Sequence, residues 1–210
     1  MDQQEQYILR YSSPCSEALD WLERQTHLRT RHARMLSGPV VGALLRHFSM
    51  MIAPMHILEI GTFTGYSSIC LAEGLRPGGR LDALEVNDEL EDLIREAYRR
   101  SGMEERINLH IGDAKELIPT LDCSYDLVYI DANKREYVEY LDLVMEKVHP
   151  GSCIIADNVL WDGKVYDGHP LDDAQTHGII EFNRAVVEDP RLENYILPLR
   201  DGLNVIRVVK

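Results

Sequence analysis

Short apolar runs alternate with longer segments of helical spacing through the central part of the chain. The apolar runs predict five strands, at 55–60, 80–86, 106–111, 125–130 and 152–156. The intervening segments, near 66–74, 88–101, 114–121 and 134–147, predict helices. Strands separated by helices of this length are typical of βαβ units, so the pattern predicts a parallel sheet in an α/β fold.

The two ends of the chain follow a different pattern. Residues 3–51 predict helices and no strand, whereas a predicted helix near 174–188 is followed by two strand-like runs, 195–199 and 203–209. An Asp-Gly pair separates these two runs and indicates a hairpin, so we expect the sheet to end in an antiparallel pair.

The pattern predicts one domain over 1–210. It would consist of an N-terminal helical segment, 1–54, and an α/β core, 55–210. Residues 162–178 are rich in Gly, Asp and His and predict the one long loop, which in a compact domain tends to be functional or mobile.

Net charge and composition limit the classes of partner and the cellular compartment that we expect for the chain. The formal net charge of −13, from 35 acidic against 22 basic residues, would repel a phosphate backbone and disfavours nucleic acid as a partner. Four scattered cysteines without a C-x-x-C pair, and an N-terminus without a signal-peptide pattern, favour reduced thiols in a cytoplasmic protein. The most apolar window, 39–60, is interrupted by Arg46, His47 and Glu59, so we expect no membrane span.

The turn after the first predicted strand, EIGTFTG, is the first candidate site. Gly61 and Gly65 would let the backbone turn tightly and approach a ligand closely. A nicotinamide fingerprint would need glycine at position 63, where Phe63 stands, and Glu59 would repel a pyrophosphate. A ligand with an ammonium group would instead be attracted.

Polar residues also end the next two predicted strands. Glu85 stands where an acid takes both hydroxyls of a ribose, and the turn through Asp113 and Ala114 suits the edge of an adenine ring. A nucleoside with a cationic amino-acid tail is S-adenosylmethionine. Taken alone, the glycine turn could equally be a strand–helix connection with no ligand, but the acids at successive strand ends favour a cofactor site.

Two further predicted strands each run directly into an aspartate. Asp131 and Asp157 would converge at the carboxyl edge of a parallel sheet, where two unpaired carboxylates repel one another. With Asn158 they offer three hard oxygen ligands, which suit Mg²⁺, or another hard divalent cation such as Mn²⁺ or Ca²⁺. No cluster of Cys or His is present to favour zinc.

Lys134 follows Asp131 by one helical turn, so its amine would return to the open side of the metal. A lysine close to a divalent cation and partly removed from water loses its proton more readily and can act as a general base. The alternative, purely structural explanations are that Asp131 caps a helix, that Lys134 is a solvated surface charge and that Asp157 lies in a simple turn.

The order and spacing of several motifs resemble one enzyme family. LEIGTFTGYS, GDA, YDLVYIDANKREYVEY, ADNVLWDGKV and LRDGL together are similar to the metal-dependent O-methyltransferases, which include the catechol and caffeoyl-CoA enzymes. The resemblance runs from about Tyr7 to the C-terminus. It implies a Rossmann-like class I methyltransferase fold with a seven-stranded, mostly parallel sheet ordered 3-2-1-4-5-7-6, in which strand 7 is antiparallel, and extra N-terminal helices.

The resemblance also assigns roles residue by residue. The positions that it places at the cofactor are Ser37, Glu59, Gly61, Thr62, Gly65, Ser67, Glu85, Asp113, Ala114, Asp131 and Asn133, the last where plant enzymes carry aspartate. The matching metal ligands are Asp131, Asp157 and Asn158, and Lys134 matches the base. Asn204 stands where the catechol enzyme has an acid that holds the diphenol, and no basic residues matching a coenzyme A site are evident.

These observations predict methyl transfer from S-adenosylmethionine to a vicinal-diol, catechol-like small molecule. Trp161 and Tyr66 would wall the pocket, and the bacterial relatives imply a homodimer built through the N-terminal helices. Three alternatives stay open: a tRNA methyltransferase of the same family, a non-catalytic adenosylmethionine-binding module, and a nicotinamide-dependent oxidoreductase, which Phe63 and Glu59 disfavour.

Overall fold

A computed structural model describes residues 3–166 and 173–210. Seven strands form one sheet: β1 (His56–Ile60), β2 (Arg80–Glu85), β3 (Ile107–Ile111), β4 (Tyr125–Ile130), β5 (Val148–Asp157), β6 (Leu192–Leu197) and β7 (Leu203–Val208). The α-helices are α1 (Gln3–Arg10), α2 (Glu17–Arg29), α3 (Gly38–Ile52), α4 (Tyr66–Ala72), α5 (Glu91–Ser101), α6 (Ala114–Leu117), α7 (Tyr137–Met145) and α8 (Ala174–Glu188).

The sheet has the order β3-β2-β1-β4-β5-β7-β6, as the resemblance implied. β1 pairs in parallel with β2 and β4, and β7 runs antiparallel to both of its neighbours, β5 and β6. The carboxyl ends of β1, β2, β4 and β5 therefore meet at one edge, and the order reverses beside β1, which is where open α/β sheets bind ligands.

Each face of the sheet is covered by helices. Alternate residues of one strand serve opposite faces: Ile57 packs into the core that includes residues of α2 to α5, and Leu58 packs into the core of α6 to α8. Both side chains are fully buried, as are their neighbours Leu127 and Val128 on β4. Strands buried on both faces require the near-continuous apolar runs that the sequence shows.

Several predicted boundaries were wrong. β5 begins at Val148, four residues before the predicted start, because Ser152 hydrogen-bonds to the carbonyl of Tyr125 and keeps the Pro150-Gly151 step within the strand. β6 begins at Leu192, three residues early, and the 162–178 stretch is only partly loop, because α8 begins at Ala174 with Asp173 as its N-cap. The rest of that stretch, 167–172, lies outside the described residues.

One segment, Ala33–Ile52, has the length and hydropathy of a membrane span by composition alone. Within it, however, Val41 and Leu45 of α3 are buried in the core and Arg46 pairs with Glu73. One face of α3 therefore packs into the core of the domain, and the expectation of no membrane span stays a prediction.

Candidate functional site

A cavity of about 770 Å³ opens at the carboxyl edge of the sheet. It is lined by twelve of the predicted site residues: Ser37, Gly61, Thr62, Ser67, Glu85, Asp113, Ala114, Asp131, Asn133, Lys134, Asp157 and Asn158. Trp161 and Tyr66, the predicted walls, also line it. Residues far apart in the sequence, from His32 to Arg200, thus line one cavity because parallel strands end side by side.

The glycine turn is shaped by two left-handed residues. Gly61 has φ 94° and Gly65 has φ 93°, values that other residues rarely adopt. A Cβ at Gly61 would collide with the carbonyl oxygen of Asp131, and one at Gly65 would lie 2.8 Å from the Tyr98 ring. Gly61 therefore lets β1 and β4 end in contact, whereas Gly65 packs α4 against α5 and does not line the cavity.

Glu59 lies behind this turn and is not part of the cavity lining, so its direct contact with a cofactor stays a prediction. Its Oε2 accepts hydrogen bonds from the hydroxyls of Thr62, at 3.0 Å, and Ser68. Its Oε1 is buried without a partner among the described residues. Complete burial raises the pKa of Glu59 to about 7. A carboxyl that lacks a cation so close to the cavity fits a positively charged ligand.

Glu85 and Asp113, which are predicted to contact the ribose and the adenine, line the same cavity. Glu85 Oε2 accepts from the backbone N–H of Phe63 at 2.6 Å and Oε1 from that of Asn87 at 2.9 Å. These bonds fix the carboxylate, and burial raises its pKa. Asp113 is held as the N-cap of α6 through a 2.8 Å bond from the Lys115 N–H.

The second group of residues forms around Lys134, which is only 6% exposed. Its Nζ donates to Asp131 Oδ1 at 2.7 Å and to Tyr137 Oη, and lies 3.4 Å from the carbonyl oxygen of Asp157. Lys134 is therefore not a solvated surface charge. Asp131 is not a helix cap either, since Asn133 accepts from the Arg135 N–H and caps the turn Lys134–Glu136.

The two aspartates converge as predicted. Burial, and next the negative charge of Asp131, raise the pKa of Asp157 to about 6. No three His, Cys, Asp or Glu side chains converge within 3–166 and 173–210. The candidate metal ligands at the cavity are therefore the carboxylates of Asp131 and Asp157 and the side-chain amide of Asn158. These are hard oxygen donors, and a divalent cation such as Mg²⁺ would offset the repulsion between the two carboxylates.

Two buried tyrosines were missed by the sequence reasoning. Tyr129 donates to Asp157 Oδ2 at 2.7 Å from within β4, and Tyr137 donates to the carbonyl oxygens of Asp157, at 2.9 Å, and Ile130, at 3.2 Å. Both are fully buried. Their apolar neighbours in YDLVYIDANKREY suggested packing alone; a tyrosine two residues before a candidate ligand was the available signal.

The segment after Asp157 is strained. The φ values are 61° at Asn158, 47° at Trp161 and 52° at Asp162. These values lie in the left-handed region, which residues other than glycine adopt uncommonly. The indole Nε1 of Trp161 is buried without a hydrogen-bond partner in the described part of the chain. Strain and an unpaired donor beside candidate ligands are features of functional sites.

Asn204, which stands where the catechol enzyme has an acid, does not line the cavity. It is fully buried on β7, where its Oδ1 accepts from Asn194 at 2.8 Å and its Nδ2 donates to Asn183 at 3.3 Å. Asn183 in turn donates to the Val159 carbonyl at 3.0 Å. Asn204 thus ties the hairpin to α8 instead of facing the ligand chamber.

The sheet order and the acid-lined chamber at its switch point define the Rossmann-like S-adenosylmethionine-dependent methyltransferases. The O-methyltransferase TomG of Streptomyces achromogenes, solved in complex with SAM, superposes with a TM-score of 0.92 at 28% identity over all of both chains. An O-methyltransferase of Bacillus cereus in complex with SAH gives 0.89 at 27% identity, covering 98% of this chain and 96% of that one.

Sequence comparison gives the family. The profile described as O-methyltransferase matches residues 10–209. Caffeoyl-CoA O-methyltransferase 2 of Populus trichocarpa is 30% identical over 98% of this chain and 88% of its own, and Catechol O-methyltransferase of Niastella koreensis is 31% identical over 77% and 75%. The chain belongs to this O-methyltransferase family and is an S-adenosylmethionine-dependent enzyme. The nicotinamide-dependent and non-catalytic alternatives are therefore set aside.

Proposed function

We propose that this enzyme methylates one of two vicinal hydroxyls of a catechol-like small molecule and that it requires a divalent cation, Mg²⁺ first among them. The observation that carries the proposal is the proximity of three groups: the Nζ of the buried Lys134 lies 2.7 Å from Asp131 Oδ1 and 3.4 Å from the backbone carbonyl oxygen of Asp157, and burial, together with the charge of Asp131, raises the pKa of the Asp157 carboxyl. Relatives named for catechol and caffeoyl-CoA substrates support the acceptor class.

The chain's residues divide into two sets. Asp131, Asp157 and Asn158 would hold the cation, and Glu85 would hold the cofactor's ribose. The remaining proposed cofactor positions on the cavity lining are Ser37, Gly61, Thr62, Ser67, Asp113, Ala114 and Asn133. Glu59 would contribute negative charge from behind the turn, and Gly65 the turn's shape.

When bound, S-adenosylmethionine supplies the methyl group, and the cation supplies charge that lowers the pKa of an acceptor hydroxyl. Lys134 takes the proton of that hydroxyl at its Nζ. The hydroxyl of Tyr137 accepts a hydrogen bond from the Lys134 Nζ and holds the amine in place. Trp161 and Tyr66 line the cavity and exclude water from it.

Replacement of Lys134 tests the assignment of the base. We expect Lys134→Ala to lower kcat by roughly 100-fold at saturating metal, the usual contribution of a positioned general base, with S-adenosylmethionine affinity little changed. Lys147→Ala is the control, because the Lys147 ammonium donates to the carbonyls of Pro119 and Leu121 and does not line the cavity. Unchanged kcat in Lys134→Ala would refute the assignment.

We further propose a cytoplasmic homodimer. The four cysteines lie free in the structure, which suits a reducing compartment. Tyr7 and Tyr11 of the N-terminal region are about two-thirds exposed, and their rings contact each other at a tilt of 40°, with centroids 4.6 Å apart. Light scattering of the full chain and of Tyr7→Ser/Tyr11→Ser would show a dimer that the double substitution weakens; a monomeric full chain would refute it.

A further inference from the structure

The turn between β6 and β7 lies between two walls of the cavity. We call Leu36–Ser37 the cofactor wall and 158–162 the acceptor wall. The Arg200 guanidinium reaches across to the first: its Nη1 donates to the carbonyl oxygens of Leu36, at 3.2 Å, and Ser37. These partners are more than 160 residues apart in sequence, so the contact exists only in the folded chain.

The next two residues of the turn hold the acceptor wall. Asp201 Oδ1 accepts from the Asp162 N–H at 2.6 Å, and the Asp201 carbonyl accepts from the Leu160 N–H at 2.9 Å. The Gly202 carbonyl accepts from the Val159 N–H at 3.1 Å. A Cβ at Gly202 would collide with the Leu160 side chain, so turn and wall are in close contact.

The acceptor wall needs such support. Its left-handed residues, Asn158, Trp161 and Asp162, each cost conformational energy that the surroundings must offset. The side-chain bond from Asp201 falls on Asp162, the second of two adjacent strained residues. In the cofactor wall the side chain of Ser37 does not cap α3, and the contacts with Arg200 are made by the backbone carbonyls of Leu36 and Ser37.

We propose that the β6–β7 turn is a positioning clasp with separate functions for its adjacent residues. Arg200 sets the cofactor wall and so contributes to S-adenosylmethionine binding; Asp201 sets the acceptor wall and so contributes to metal and acceptor binding. The inference rests on the proposed function for the identity of the metal and acceptor, but the hydrogen bonds that carry it are independent of that function.

Three variants test the clasp: Arg200→Ala, Asp201→Ala and, as the matched control, Asp201→Asn, which keeps an acceptor oxygen for the Asp162 N–H. Calorimetry gives the affinities for S-adenosylmethionine and for Mg²⁺, and thermal unfolding gives Tm. We expect Arg200→Ala to weaken cofactor affinity about tenfold and metal affinity less than about twofold, the scale of losing hydrogen bonds to a charged group. Asp201→Ala should give the reverse, and Asp201→Asn should restore both affinities.

Hydrogen exchange supplies a readout that needs no ligand. Arg200→Ala should accelerate amide exchange within 33–40 only, and Asp201→Ala within 158–163 only. If both variants change both affinities alike and lower Tm together, or if neither changes exchange, the clasp is refuted. Failure of the wild-type chain to bind S-adenosylmethionine or Mg²⁺ would contradict the proposed function instead, while exchange would still decide the clasp.

Discussion

At the scale of single residues, the proposed metal site depends on buried strand side chains that hydrogen-bond to the proposed ligands. Tyr129 illustrates this: its hydroxyl donates a hydrogen bond of 2.7 Å to Oδ2 of Asp157. A hydrogen bond from a fully buried donor fixes the orientation of the carboxylate that it reaches. Such partners of a metal ligand typically contribute 10- to 100-fold in metal affinity, as a rough scale.

Tyr129→Phe removes this one oxygen atom and should weaken Mg²⁺ binding by about tenfold without unfolding the chain. Tyr125→Phe is a matched control, because Tyr125 is equally buried on the same strand and donates to a carboxylate, Asp82, away from the cavity. Metal affinity is measured by calorimetry. Equal losses in the two variants would show that Tyr129 stabilises the fold only.

Glu59 predicts a pH dependence of stability. Its folded pKa of about 7 lies above the ordinary value of 4.5, so the unfolded chain gives up this proton first. Unfolding is therefore favoured progressively as pH rises from about 4.5 to 7, and the cost reaches roughly 3 kcal/mol at higher pH. Below 4.5 both states are protonated and the effect vanishes.

Glu59→Gln keeps an oxygen for the Thr62 and Ser68 hydroxyls and removes the ionisation. We expect its free energy of unfolding, measured in urea at pH 5 and pH 8, to fall less with pH than that of the wild-type chain. Parallel pH profiles for the two proteins would mean that Glu59 is already ionised in the folded apo-enzyme at pH 5.

At the scale of elements, the placement of Lys134 depends on α8. Gly178 is buried in this helix, and a Cβ there would collide with the Lys134 carbonyl and lie 2.9 Å from the Cα of Arg135. A helical glycine at this point lets α8 lie directly on the turn that carries the proposed base. The contact connects a helix near the C-terminus to the reaction site.

Gly178→Ala should push α8 and the Lys134 turn apart, costing about 1–3 kcal/mol of stability and lowering kcat more than cofactor affinity. Val187→Ala, at an exposed position of the same helix, is the control. Steady-state kinetics and calorimetry separate the two effects. Wild-type kcat in Gly178→Ala would show that the Lys134 turn accommodates the added methyl group without loss of function.

The elements also show what sequence could predict. Apolar runs such as Leu127–Ile130 identified the strands, and the acids that follow them identified the cavity, because strand ends of a parallel sheet must meet. Asn204 could not be placed, since only the folded register reveals Asn183 and Asn194 beside it. Arg200 was part of a predicted hairpin turn, but nothing local indicates contact with residues more than 160 positions away.

At the scale of the whole molecule, the N-terminal helices and the sheet share one core. Leu22 of α2 and Leu45 of α3 are fully buried in the same cluster as Ile57 of β1. A hydrogen bond of 2.9 Å between Thr26 and Thr64 joins α2 to the glycine turn. We propose on these grounds that 1–54 and 55–210 fold as one domain, with the cavity closed partly by the N-terminal segment.

The net charge of −13 also acts at this scale. It would oppose a polyanionic acceptor such as tRNA, and a gel-shift assay with tRNA would reveal binding if the chain nevertheless used one. Within the cavity, a cationic cofactor would neutralise part of this negative charge, and so would the divalent cation that we propose. The molecule's charge therefore favours a small acceptor.

The most direct test of the central claim is transfer of a labelled methyl group from S-adenosylmethionine to a panel of catechols, with Mg²⁺ or with EDTA. The account predicts a mono-O-methylated catechol that forms with Mg²⁺, disappears with EDTA and returns when Mg²⁺ is restored in excess. Transfer that continues undiminished in EDTA, or cofactor binding with no methylation of any vicinal diol, would contradict it.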